Sequence, residues 1–121
     1  MSAADILLAQ KSDLAQRITD ALYQERPQLL ERYGETGRIR CLEDMHFNIE
    51  HLVPAVALGE KQLFERYVVW LRDMLAARNV GVDDVRRSLQ LTVTVVQQRL
   101  SSADAQPVID VVNAGIAALE R

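Results

Sequence analysis

With 121 residues, 49% of them hydrophobic and 26% charged, and a formal net charge of −3, the chain has the size and composition of one globular domain, residues 1–121, and is too short for two. A pI near 5.3 offers no basic field for nucleic acid or an anionic membrane, and no apolar run approaches the ~20 residues needed to span a bilayer. The single cysteine forms no internal disulfide, and Asp5 stands where a signal peptide needs a basic region, so a cytoplasmic location is expected.

Periodicity predicts an all-α chain of five or six helices. From a Ser2 N-cap, Leu7, Leu14, Ile18, Ala21 and Leu22 recur at helical spacing, giving a first helix that ends near Arg26. Pro27 suits the first turn of a short second helix that stops at Gly34, and Gly34-Glu35-Thr36-Gly37 reads as a loop. A third helix is predicted from about Arg38 to Leu58, bent by Pro54 one turn before Gly59. The fourth, Lys61 to Arg78, carries a wide apolar face from Leu63 to Leu75, wide enough to suggest a homodimer. After Asn79-Val80-Gly81, Asp83 and Asp84 open a fifth helix. Its β-branched run Leu91 to Val96 alone could be a strand, but helical spacing on both sides keeps it in the helix. Ser101 and Ser102 then cap a sixth helix reaching Leu119.

The third helix carries the chemistry. At 100° per residue, Leu42, Met45, Ile49, Leu52, Val53 and Val56 form its core stripe, while Glu43, His46 and Glu50 face water. Cys41, Asp44, Asn48, His51 and Ala55 make a third stripe, a candidate pocket wall or partner seam. The commoner reading of such a stripe is an amphipathic boundary with satisfied polar groups. Metal is not expected, because three turns put Cys41 and His51 ~15 Å apart. No nucleophile or second carboxylate attends Asp44 and His51, and phosphate loops and nucleophile elbows are missing, so the chain is not expected to be an enzyme. His46 and His51, the only histidines, lie ~140° apart on the helix and cannot share one haem face.

Arg40-Cys41-Leu42-Glu43-Asp44, followed by a helix that closes at Ala57-Leu58-Gly59, resembles the chromophore-bearing helix of phycobiliproteins. Leu63-Phe64-Glu65-Arg66-Tyr67 and the turn at Asn79-Val80-Gly81 resemble the segment that follows it in that family. The likeness runs from about Arg38 to Leu100 and implies a globin-like fold that binds a linear tetrapyrrole (a bilin). By that resemblance Cys41 matches the thioether-forming cysteine, Asp44 the carboxylate that holds pyrrole N–H groups, and Arg40 a basic partner for a propionate. A carboxylate is a natural acceptor for converging N–H donors, and Tyr67 and Trp70 could offer flat apolar surface to the rings. Asn48 and His51 complete the candidate set.

Two departures refine the expectation. Glu43 stands where the family has arginine, and forty residues before Cys41 are too few for the N-terminal helical pair of antenna subunits. The chain is therefore more similar to the shorter bacterial globins associated with bilin biosynthesis. That likeness implies non-enzymatic carriage or hand-over of a bilin such as biliverdin, with bilin-metabolism enzymes as partners. The same residues leave two alternatives: a homodimeric sensor module without pigment, similar to globin-like stressosome domains, and weak haem binding.

Overall fold

Six helices and no strand make up the computed structural model, which describes every residue from Met1 to Arg121. The Ser2 hydroxyl accepts from the Asp5 N–H at 3.1 Å, and the Asp5 carboxylate accepts from the Ser2 N–H at 3.0 Å. This reciprocal cap starts α1 (Ala3–Ala9). The single first helix expected from Ser2 to Arg26 is in fact two, because Gln10 adopts φ −99° and ψ 9° before α2 (Lys11–Glu25) begins. Periodicity conceals this joint, since the Gln10 carbonyl still accepts from the Leu14 N–H at 2.9 Å. Leu7 and Leu14 both stay fully buried across it.

The expected loop at 34–37 shrinks to one residue. In α3 (Gln28–Leu58) only Gly34 leaves helical dihedrals, at φ 69° and ψ −172°, a region open to glycine. Gly37 lies inside the helix, where a Cβ would stand 2.3 Å from the Tyr33 Cβ, so the close approach of Tyr33 requires glycine there. Pro54 is accommodated without a dihedral break, and Gly59 ends the helix in the left-handed conformation at φ 65°.

From there α4 (Lys61–Ala77) buries Phe64, Tyr67, Val68, Leu71 and Leu75. The Phe64 ring packs so closely on Gly115 that a Cβ there would be 2.7 Å from Cε2. The β-branched run falls within α5 (Val82–Arg99), helical as predicted, with the Thr92 hydroxyl bonded to the Ser88 carbonyl at 2.8 Å. Ser101 caps α6 (Ser102–Ala118) by accepting from the Asp104 N–H at 3.3 Å.

In the assembled chain α6 lies against α4 and α5, and α2 against α3 and α5, around one core. The wide apolar face of α4 is thus taken up mainly by α6 and α3 within the chain. Its width alone gives no reason for a second copy. No helix is long and apolar enough to cross a membrane.

Candidate functional site

Two hollows flank the middle of α3. The first, about 260 Å³, lies between α2, the N-terminal half of α3 and the turn from α4 to α5; Tyr23, Tyr33, Arg40, Cys41, Asp44 and Asp84 are among its lining. The second, about 560 Å³, lies between α3 and α4 and is lined by Asp44, Phe47, His51, Arg66, Tyr67 and Trp70, with Leu71, Met74 and Arg78. The second lies within the ~300–1,000 Å³ typical of small-molecule sites, and the first falls just short of it. Asp44 and Arg78 are the two residues common to both linings.

Helical geometry explains which side chains arrive there. Taking Asp44 as zero and turning 100° per residue, Phe47 and His51 fall about 60° and 20° to one side. Asn48, Cys41 and Met45 fall about 40°, 60° and 100° to the other, toward the core. The second hollow takes the first group. Cys41 is half-buried at the first hollow, and Asn48 is fully buried and lines neither. The expectation that Asn48 faces a ligand is therefore corrected: it stands behind the wall.

There it positions the wall. The Tyr67 hydroxyl donates to Asn48 Oδ1 at 2.6 Å, which fixes the phenol against α3. Burial pushes the Tyr67 hydroxyl well above the ordinary phenol range, with Asp44 and Glu50 adding to the effect, so it stays a neutral donor. On the face of Tyr67 lies the His51 ring, nearly parallel, with centroids 3.9 Å apart and planes at 11°. Trp70 tilts against Tyr67 at 5.9 Å. His51 Nδ1 is 2.8 Å from the Phe47 carbonyl, an acceptor, so Nδ1 carries the proton and Nε2 is left free. Phe47 and Trp70 remain 52% and 57% exposed, a large apolar surface left open on two facing helices.

The electrostatics centre on Asp44. Burial raises its pKa above the ordinary carboxylate value; Glu43 pushes the same way, while Arg78 and Arg40 oppose. Burial also raises the Cys41 thiol, to about 11; Asp44 adds to the rise, and Thr19 and Arg38 only partly offset it. The residue that the resemblance matches to the thioether-forming cysteine is thus held as the protonated thiol, the less reactive form. Arg40 is exposed at the rim of the first hollow. On the far side of α3, Glu50 pairs with Lys11 at 2.8 Å and His46 is half-buried, so of the three residues expected in water only Glu43 stands there unpaired.

The structure therefore gathers Asp44, His51, Tyr67 and Trp70 at one hollow and Arg40, Cys41 and Asp44 at its neighbour. Nowhere do three or more His, Cys, Asp or Glu side chains cluster in a way that could hold a metal ion. Sequence reasoning missed Phe47, Arg66 and Arg78. Phe47 had a readable signal, lying three residues after Asp44 and four before His51 on the same helical edge. Arg66 had one too, four residues before Trp70. Arg78 had none, because it follows the last turn of α4 and its place depends on how that helix ends.

Comparison with known proteins agrees with this architecture. The family model described as phycobilisome protein matches residues 1–119. Allophycocyanin subunit beta-18 of Aglaothamnion neglectum is 24% identical over 109 residues, covering 86% of this chain and 64% of the relative. The same subunit from Pyropia yezoensis is 26% identical over 102 residues, covering 80% and 60% respectively. The chain spans about three fifths of the length of these curated relatives. With its all-helical, globin-like architecture and a match along almost its whole length, the chain belongs to the phycobilisome protein family.

Proposed function

We propose that this chain binds a linear tetrapyrrole such as biliverdin without covalent attachment, and carries it or hands it over rather than transforming it. The observation that carries this reading is the placement of Asp44: a partly buried carboxylate common to two hollows, beside a wall of His51, Tyr67, Trp70 and Phe47. A bilin supplies pyrrole N–H donors and a flat conjugated surface, and the residues present suit both. The Asp44 carboxylate accepts from N–H groups, an interaction that favours its charged form and offsets the cost of burying it. The Tyr67–His51 stack and the exposed Trp70 ring cover apolar pyrrole surface, and Asn48 keeps Tyr67 from turning. Membership of a family with bilin-carrying members supports the reading, and bilin-metabolising enzymes are the partner class it implies.

Cys41 takes a passive part in this account. With a thiol pKa near 11, only about one molecule in 10⁴ carries the thiolate at neutral pH, and the thiolate is the form that adds to a vinyl or ethylidene carbon. Mixing the protein with biliverdin and recording visible absorption tests the reading. Asp44→Ala is expected to weaken binding about tenfold or more, the usual effect of losing a charged hydrogen bond, and Cys41→Ala to change it little. Intact mass after denaturation should show no adduct. The opposite order of the two variants, with a mass increase equal to the pigment, would replace the carboxylate anchor by a covalent one.

A further inference from the structure

The arginines divide unevenly around the molecule. Four of them, Arg32, Arg40, Arg66 and Arg78, have no carboxylate partner, whereas every other arginine is paired with one. Arg32 is otherwise engaged, donating to the Asn79 carbonyl at 3.4 Å and lying over the Tyr33 ring at 5.2 Å. The remaining three all line the hollows: Arg40 the first, Arg66 the second, and Arg78 both. On a surface where arginines otherwise find acids, three unpaired guanidiniums around one pair of hollows make a field for an anionic ligand.

Arg78 has the most informative place. It and Asp44 alone border both hollows, from the end of α4 and the middle of α3, yet they form no ion pair with each other. Its one side-chain hydrogen bond is to the Met74 sulfur at 3.3 Å, a weak acceptor. The other acid at the first hollow, Asp84, is already paired with Arg26. A ligand reaching from one hollow into the other passes between a carboxylate acceptor and a guanidinium donor left without an acid.

We propose that Arg78 is the specificity residue that selects a ligand with free carboxylate side arms, taking one of them at the seam where Asp44 receives the pyrrole N–H groups. This assignment rests on the bilin reading above and adds to it the acidic class of ligand. It is distinct from the propionate partner that resemblance suggests at Arg40. Recognition then has two parts, with opposite polarity on the two sides of one seam. The forked guanidinium suits a carboxylate in two-point contact, and an ester offers it a neutral and weaker acceptor.

Biliverdin and its dimethyl ester, titrated separately and followed by visible absorption, test the proposal. The wild-type protein should bind the free acid about tenfold or more tightly than the diester. Arg78→Gln should weaken the acid by a similar factor and bring acid and ester to near-equal affinity. Arg17→Gln, which removes the same charge from α2 away from both hollows, should leave the preference intact. Because Arg78 is exposed, its variant should keep the wild-type helical circular dichroism. Equal binding of acid and diester by the wild type, or a full preference surviving in Arg78→Gln, overturns the Arg78 assignment while leaving bilin binding standing. A spectrum unchanged by either compound overturns the bilin reading and this assignment with it.

Discussion

Asp44 is held where a carboxylate is costly to keep, and that cost separates a binding role from a structural one. Its pKa is raised in the folded chain, so folding favours the protonated acid and stability falls as pH rises from the unfolded value toward the folded one. Asp44→Asn should therefore raise the thermal midpoint at neutral pH. The gain should disappear at pH values below the ordinary carboxylate range, where both side chains are neutral; thermal melts at pH 3 and pH 7 check this. A variant more stable than wild type but poorer in ligand binding is what a functional residue predicts. Tyr67→Phe belongs to the same scale: it strips the donor from the buried Asn48 Oδ1 and should cost about 1–3 kcal/mol in chemical denaturation. Asp44, Tyr67 and Trp70, singled out by residue type on neighbouring helices, line the second hollow. Asn48 was placed on the right edge but at the wrong depth. A stripe names a side of a helix, and a turn of about 40° decides whether a side chain meets a ligand or the core.

At the scale of elements, the third helix depends on two glycines for different reasons. Gly34 adopts a backbone conformation at φ 69° that a side chain resists, so Gly34→Ala should destabilise by about 1–3 kcal/mol, measured by urea unfolding. Gly81→Ala, where φ is −73° and a Cβ meets no neighbour, is the control and should cost far less. The sequence announced a break near Gly34 but not its length. Two glycines three residues apart suggest a loop, whereas only the first leaves the helix and the second admits Tyr33. Gln10 carried no breaker at all, so the joint between α1 and α2 was invisible to periodicity. The β-branched segment of α5 was resolved correctly because tertiary burial of Leu91, Val95 and Val96 on a helical face outweighs local strand preference.

Across the whole molecule, six helices close one core and leave two neighbouring hollows whose borders share a single acid and a single base. The all-α class was legible because most of the helices announce themselves by period and two by a serine cap; the globin-like expectation came from the resemblance around Cys41. The hollows were not, because they arise where α2, α3 and α4 meet at distances that no local pattern encodes. Placing Trp70, the only tryptophan in the chain, on the wall of the larger hollow makes the protein its own reporter. Its emission, followed during titration with biliverdin alongside visible absorption, is the most direct test of a pigment seated between α3 and α4. Saturable quenching that reaches its endpoint at one equivalent, together with the absorption change, is the predicted result. Emission that is unaltered, or that declines in proportion to added pigment without saturating, would contradict it.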